Sequence, residues 1–170
     1  MMMNRRLVGH IALALAAAFG GAHAQTPKTG GTLNLIVQPE PPAINLGSSK
    51  LGPVSFVGSK IYEGLISLNP KLDPIPKLAE SWVISPDGKT YTFKLRQGVQ
   101  WHDGKPFTSA DVLFSFQKYL PVTFSRTKLI MEKVESITAP DAFTVVFKLK
   151  STYPAFMLIF EATGGTIMPK

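Results

Sequence analysis

Residues 61–117 carry the strongest fold signals and read IYEGLISLNPKLDPIPKLAESWVISPDGKTYTFKLRQGVQWHDGKPFTSADVLFSFQ. Within them, the segment SPDGK at residues 85–89 predicts a tight turn, because proline presets φ, aspartate hydrogen-bonds nearby backbone and glycine accepts a positive φ. Residues 90–95 alternate polar and apolar side chains, which predicts a half-buried strand. Together with the apolar residues 82–84, this strand is predicted to form a β-hairpin.

The segment TSAD at residues 108–111 predicts the start of a helix. Thr108 stands at the N-cap position and Asp111 follows three residues later, which is a variant of the capping box. Apolar side chains recur at helical spacing through residue 120. Pro121 is predicted to end the helix, because proline lacks the N–H that a helix interior needs.

The residues on the N-terminal side of the hairpin predict shorter elements. Residues 32–37 alternate before they turn apolar, which predicts a strand. Residues 54–65 place apolar side chains at helical spacing and predict a helix. Residues 72–76 are predicted to be extended, because a residue that precedes proline is pushed out of the helical region.

The residues after the capped helix predict a second hairpin. Residues 122–128 are predicted to form a polar loop and residues 129–134 a short helix. Residues 134–138 and 143–149 then predict two strands, joined by the turn APDA, with alternate side chains of the second strand on one face.

The composition indicates a globular chain without a nucleic-acid-binding surface. The 170 residues are 45% hydrophobic and 17% charged, which is enough apolar material for a core. The formal charge is +7, and it falls to +5 without the two arginines at residues 5 and 6. The remaining basic residues are scattered with no run of five, so they predict a solvated surface and no nucleic-acid partner.

The first 24 residues have the layout of a secretory signal peptide. Arg5 and Arg6 precede a mostly apolar stretch over residues 7–19, and the segment ends in AHA at residues 22–24. Cleavage is predicted between Ala24 and Gln25. The alternative is an uncleaved membrane anchor, but the apolar stretch is short for a span of about 20 residues. A lipid anchor is excluded because the chain has no cysteine, so the mature chain is expected to be soluble in the periplasm.

The sequence offers no constellation for catalysis or for a metal. There is no cysteine, and two of the three histidines, His10 and His23, lie in the leader. His102 is then the single mature histidine, so a multi-histidine metal site or a histidine-based triad is not available. Glu132 and Glu135 are expected to lie on one helical face as a solvated edge. We therefore expect no enzyme activity, no metal and no cofactor.

Several segments, in this order and spacing, resemble one protein family. The segments are YEGL at residues 62–65, PKLAESW at 76–82, SPDGKTYTFKLR at 85–96 and WHDGKPFTSADV at 101–112. They resemble the solute-binding protein family 5 of peptide and nickel ABC importers, of the dipeptide- and oligopeptide-binding type. A weaker similarity extends over residues 31–170.

The resemblance implies an α/β (α+β) fold of the periplasmic binding protein type II, with two hinged lobes and an extra subdomain in lobe I. The domains it implies are a signal peptide at 1–24, the start of lobe I at 25–61, the extra β-rich subdomain at 62–160 and a truncated return to lobe I at 161–170. Members of the family are far longer. The chain is therefore expected to be an N-terminal fragment without the second lobe.

The resemblance also implies a function. Such proteins capture di- and oligopeptides in the periplasm, close two lobes around them and deliver them to an ABC permease in the inner membrane. The partners expected here are a peptide or other small solute and that permease, with the chain as a monomer. The loop that meets ligand in relatives matches Ser48, Ser49, Lys50, Leu51 and Gly52.

Two other functions remain open at this point. One is binding of a non-peptide solute, such as nickel, haem or an opine-like compound, by a member of the same family. The other is a secreted interaction module, without a role in transport, that is built from the β-rich subdomain.

Overall fold

The computed structural model describes residues 30–49 and 51–170. The chain divides into a unit that ends at residue 36 and a unit that begins at residue 37. The predicted cleavage residues Ala24 and Gln25 lie outside the described residues, as does Lys50. Among the described residues, no helix is long and apolar enough to cross a membrane.

The predicted strand over residues 32–37 is wrong. No strand is assigned there, and the side chains of Leu33 and Ile36 are 79% and 88% exposed. A strand needs a neighbour to take up its N–H and C=O groups. None of the residues that the structure describes pairs with this segment.

A four-stranded antiparallel sheet forms the centre of the second unit, and its strands are β3 (Ala79–Ile84), β4 (Thr90–Leu95), β5 (Val134–Asp141) and β6 (Thr144–Leu149). Their order in the sheet is β3-β4-β6-β5. Strands β3 and β4 are joined by the turn at residues 85–89, so the first predicted hairpin is confirmed. Gly88 has a φ of 68°, as the predicted turn requires. Strands β5 and β6 confirm the second hairpin, but its turn was placed too early. Residues 139–141 belong to β5, because Asp141 still pairs with Thr144, and the turn lies at residues 142–143.

One face of this sheet carries the aromatic core. In β4 the buried side chains Tyr91, Phe93 and Leu95 alternate with more exposed residues, as their spacing predicts. Strand β6 adds buried residues beside them, and helices cover the face. Ring centroids lie 4.5–6.0 Å apart among the contacting rings of this cluster. The rings belong to Tyr91, Phe93, Phe116, Phe147, Phe156 and Phe160.

Helix α2 (Ser109–Phe114) begins with the predicted capping box. The Thr108 hydroxyl accepts a hydrogen bond from the Ala110 N–H at 3.3 Å, and the Asp111 carboxylate accepts one from the Thr108 N–H at 2.8 Å. The two bonds satisfy N–H groups that no helical carbonyl reaches.

Pro121 does not end the helix, so that prediction is wrong. Helix α2 continues through a π-helical segment, Ser115–Tyr119, into the short helix α3 (Leu120–Thr123). In the π-helical segment the Leu120 N–H donates to the Ser115 carbonyl. Pro121 then lies in the first turn of α3, where the missing N–H costs little.

The polar loop predicted over residues 122–128 and the helix predicted over residues 129–134 are also wrong. Helix α4 (Ser125–Met131) begins earlier, and Val134 already belongs to β5. The helix forms there because Thr127 and Ile130, three positions apart, are both buried on its inner face. Glu135 accordingly lies on a strand and not on a helical face with Glu132, and it pairs with Lys148 at 2.8 Å.

Helix α1 (Gly52–Gly58) is shorter than the helix predicted over residues 54–65. After the helix the chain passes close to the backbone of residues 160–162 at Gly64, where a Cβ atom would lie 2.3 Å from the Phe160 carbonyl oxygen. Strand β1 (Ile66–Leu68) follows and pairs with β2 (Pro74–Pro76), which confirms the extended prediction for residues 74–76. The prediction is wrong at Leu72, whose φ is 67°, because its N–H donates to the Asn69 carbonyl at 2.9 Å in the turn before β2. A 3₁₀ helix (Pro154–Phe160) and helix α5 (Ala162–Gly165) complete the unit.

Candidate functional site

The loop predicted to meet ligand projects from a buried base. Ser48 and Gly52 are exposed, Ser49 is half-buried and the Leu51 side chain is 58% exposed. The Ser48 hydroxyl donates to the Asn45 carbonyl at 3.0 Å, so part of the polar surface is used within the loop. The loop can therefore present backbone and one apolar side chain to a partner.

The base of this loop is fixed against the π-helical segment. The Asn45 amide donates to the Tyr119 hydroxyl at 3.3 Å, and the Gly47 N–H donates to the Asn45 side-chain oxygen at 2.8 Å. A Cβ atom at Gly47 would lie 2.6 Å from the Tyr119 ring, so only glycine fits here. Leu46 between them is fully buried. The loop is thus held rigidly at one end.

A groove of about 460 Å³ opens elsewhere on the second unit. It is called the aromatic groove here, and Trp101 and Phe107 meet edge-to-face in it with ring centroids 6.2 Å apart. The Trp101 indole N–H is buried and has no hydrogen-bond partner among the described residues. The residues that define the groove are Tyr62, Leu78, Trp101, Phe107, Ile167 and Met168.

The charges at the rim of the aromatic groove neutralise each other. Glu63 pairs with Lys77 at 3.2 Å, and Asp103 pairs with Lys105 at 2.9 Å. The hydrogen bond from the Lys105 side chain lowers the pKa of Asp103, and the same bond raises the pKa of Lys105. His102 is exposed in the turn beside them. Within the described part of the chain, no group of three histidine, aspartate or glutamate side chains could hold a metal ion.

A second groove, of about 360 Å³, lies between α4, the 3₁₀ helix and α5. It is called the Arg126 groove here. Arg126 and Glu161 lie among its lining residues but do not form an ion pair. The Glu161 carboxylate instead accepts a hydrogen bond from the Thr163 N–H at 2.9 Å. The apolar residues that define the groove with these two are Leu68, Phe124, Ile130, Tyr153, Leu158 and Ile159.

Comparison with known proteins identifies the family. The sequence profile of the bacterial extracellular solute-binding proteins, family 5 Middle, matches residues 73–170. This chain belongs to that family. Members of the family bind solutes, and catalysis is not their function. The segments at residues 76–112 on which the resemblance rests fall within the match.

The similarity of this family 5 chain to individual proteins covers only part of them. It is 37% identical over 108 residues to the probable peptide ABC transporter periplasmic-binding protein y4tO of Sinorhizobium fredii, which is 64% of this chain and 20% of that protein. The oligopeptide-binding protein AppA of Bacillus subtilis, solved with a nonapeptide, has a TM-score of 0.67 and 28% identity. That match covers 77% of this chain and 26% of AppA.

A further solved structure, NikZ of Campylobacter jejuni in complex with Ni(L-His), has a TM-score of 0.63 and 29% identity. The match covers 77% of this chain and 26% of NikZ. The chain thus spans about a fifth to a quarter of the length of these three relatives. The neighbours confirm the predicted fold class, a mixed α/β fold of the periplasmic binding protein kind.

The sequence did not reveal either groove of this family 5 chain. Neither groove includes any residue of the predicted contact loop, 48–52. Arg126 and Glu161 are 35 positions apart, and no local pattern links them. The sequence signals were the apolar run at residues 153–160, part of which lines the Arg126 groove, and the aromatic residues Trp101 and Phe107, which line the aromatic groove.

Proposed function

We propose that this chain is part of the periplasmic substrate-binding component of an ABC importer that captures di- and oligopeptides. The observation that carries the proposal is the family 5 match over residues 73–170, together with a relative that is named as a probable peptide ABC transporter periplasmic-binding protein. The solved neighbour AppA holds a nonapeptide, which supports the peptide class.

The geometry of the described residues supports binding and not catalysis as the activity. The grooves are lined mainly by aromatic and aliphatic side chains, with a few polar groups that can orient a ligand. The chain has no enzyme activity in this proposal. The contact loop (Ser48, Ser49, Lys50, Leu51 and Gly52) meets the solute when two lobes close around it.

We propose the domain division that the family resemblance implies. Residues 1–24 direct export and are removed between Ala24 and Gln25. Residues 25–61 begin lobe I, residues 62–160 form the extra subdomain, and residues 161–170 return to lobe I. The mature protein acts as a monomer in the periplasm, with an inner-membrane permease as its partner.

Disruption of the reading frame within residues 73–170 tests the transport function. In an amino-acid auxotroph of the bacterium that encodes the chain, we expect growth on the free amino acid but not on a dipeptide that supplies it. Restoring the undisrupted frame on a plasmid is the control. Undiminished growth of the disrupted strain on di- and oligopeptides would contradict the proposal.

The contact loop is tested in the same complementation assay. Leu51→Asp places a charge where the apolar Leu51 side chain is proposed to contact the solute, so growth on the dipeptide is expected to slow. Phe56→Asp is the matched control, because Phe56 is exposed in α1 but lies outside the loop. Equal growth with Leu51→Asp and the unaltered protein would exclude a role for this residue.

Export is tested by the mass of the periplasmic product. We expect an N-terminus at Gln25, and Ala24→Arg should block cleavage because the peptidase pocket admits only small residues. A periplasmic product that retains residues 1–24 in the unaltered chain would overturn the signal-peptide proposal.

Nickel uptake is the second candidate function, because the neighbour NikZ holds Ni(L-His). Nickel uptake and peptide uptake are distinguished with the same disrupted strain. Loss of nickel-dependent urease or hydrogenase activity with normal growth on dipeptides would favour nickel, whereas the reverse would favour peptides.

A further inference from the structure

The Arg126 groove contains one cation and one anion that do not neutralise each other. The Arg126 guanidinium makes no ion pair or hydrogen bond within the described part of the chain. The Glu161 carboxylate is also without a cationic partner there, although it accepts hydrogen bonds from the N–H and the hydroxyl of Thr163. Both side chains line the same space.

Apolar side chains form the rest of this groove. Ile130 and Ile159 are buried at its floor, and the Leu158 side chain is exposed at its rim. Tyr153 contributes an aromatic ring. The volume of about 360 Å³ lies in the range of pockets that take small ligands. A groove lined by apolar side chains together with one cation and one anion is chemically complementary to a short peptide with apolar side chains, which carries its charges at its two ends.

The walls of the Arg126 groove are fixed to each other. The Thr127 hydroxyl of α4 donates to the Gly164 carbonyl of α5 at 3.2 Å. A Cβ atom at Gly165 would lie 2.2 Å from the Ile159 carbonyl oxygen, so α5 packs directly on the 3₁₀ helix. The groove is therefore formed before any ligand arrives, and little ordering is needed on binding.

We propose that the Arg126 groove binds a short zwitterionic peptide with apolar side chains. The planar guanidinium of Arg126 pairs with the peptide carboxylate, for which its fork of donors is suited. The Glu161 carboxylate attracts the peptide ammonium group, and the apolar floor covers the side chains. The inference rests on the solute-binding function proposed above and adds a site apart from the contact loop.

The test follows the amide shifts of the ¹⁵N-labelled chain during titration with leucyl-leucine. We expect saturable shifts at Thr127, Thr163 and Gly164. N-acetyl-leucyl-leucine lacks the ammonium group and leucyl-leucinamide lacks the carboxylate, so each should bind about threefold to fivefold more weakly, as for one partly exposed ion pair. Added salt should weaken leucyl-leucine binding.

Two substitutions test which protein side chain binds each charged end of the peptide. Arg126→Gln should weaken the binding of leucyl-leucine by about threefold to fivefold. The binding of leucyl-leucinamide should stay unchanged, because this ligand has no carboxylate to pair with Arg126. Glu161→Gln should weaken the binding of leucyl-leucine and leave the binding of N-acetyl-leucyl-leucine unchanged. The side-chain oxygen of the glutamine can still accept the hydrogen bond from Thr163. Lys128→Gln is the matched control, since Lys128 is an exposed cation of α4 that does not line the groove.

Three results would overturn the inference. These are no shift with leucyl-leucine, shifts confined to residues 45–52, or equal binding of leucyl-leucine by Arg126→Gln and the unaltered chain. None of them decides the transport function, which is judged by growth on dipeptides. Conversely, the disrupted strain could grow normally on dipeptides while the amide shifts in the Arg126 groove depend on the peptide charges. That result would refute the transport function and support the peptide site.

Discussion

The Asp111 carboxylate carries two hydrogen bonds that serve different parts of the chain. One oxygen caps α2 by accepting from the Thr108 N–H at 2.8 Å, and the other accepts from the Lys170 N–H at 3.0 Å. Ser115, one turn along, accepts from the Met168 N–H at 2.8 Å. A capping residue that the sequence identified therefore also holds residues 168–170 in place.

Asp111→Ala is expected to cost more than the loss of the cap alone. Thr108→Ala removes one cap bond and should lower the free energy of unfolding by about 1 kcal/mol. Asp111→Ala also removes the hydrogen bond from the Lys170 N–H to the charged carboxylate, so the loss should be about 2–3 kcal/mol. Urea unfolding of the two variants measures both. Equal losses would show that the bond to Lys170 contributes nothing.

Gly64→Ala is expected to destabilise the chain because there is no room for its methyl group. A Cβ atom there would lie 2.3 Å from the Phe160 oxygen and 2.7 Å from the Ala162 nitrogen, both of them backbone atoms. A loss of about 3 kcal/mol is expected from thermal or urea unfolding. Gly52→Ala is the control, since a Cβ atom there meets nothing within 4 Å. A Gly64→Ala variant as stable as this control would refute the close contact.

At the scale of elements, the hairpin of β5 and β6 is closed by a charged turn. Asp141 accepts hydrogen bonds from the Thr144 hydroxyl at 2.8 Å and from the Phe143 N–H at 2.7 Å. These bonds, the first of them above all, hold the pKa of Asp141 below its ordinary value of 3.8, and Lys94 adds a smaller effect. Lys94 also donates to the Thr144 hydroxyl at 2.8 Å, which ties β4 to the turn.

The lowered pKa of Asp141 predicts an acid-sensitive hairpin. A carboxyl group with a pKa that is lower in the folded state stabilises the fold above its unfolded pKa, and this contribution is lost as pH falls through the folded pKa. Stability should therefore fall below about pH 4. Asp141→Asn and Thr144→Val should both reduce this dependence in urea unfolding at several pH values. If the free energy of unfolding of both variants depends on pH as it does in the unaltered chain, the prediction is contradicted.

At the scale of the whole second unit, the segment at residues 166–170 joins parts that are far apart in sequence. The Ile167 N–H donates to the Glu63 carbonyl at 3.0 Å, and its side chain is buried in the core cluster. The same residue lines the aromatic groove beside Trp101. This segment therefore forms one wall of the groove.

Ile167→Ala is expected to open that wall. The cavity should lower the free energy of unfolding by about 2–4 kcal/mol. Trp82→Phe provides a background in which Trp101 is the one remaining tryptophan of the two. In that background, acrylamide should quench Trp101 fluorescence more strongly once Ile167 is shortened. Quenching equal to that of the Trp82→Phe parent would contradict the assigned wall.

The sequence determined the elements whose signals are local. The turn at Gly88, the alternation in β4 and the capping box at Thr108 and Asp111 each depend on residues within six positions of one another. These features fix backbone dihedrals and short hydrogen bonds before any tertiary contact forms, and they also carried the family resemblance. For that reason the two hairpins and the fold class were predicted correctly.

Tertiary packing set the features that depend on distant partners. Residues 32–37 have a strand pattern but no described strand beside them, and Pro121 is accommodated because the π-helical segment shifts the helix hydrogen bonds. The early start of α4 depends on burial of Thr127 against α5. Both grooves are likewise assembled from residues brought together by packing. Local sequence cannot specify these features, because the free energy that selects them comes from contacts between separate elements.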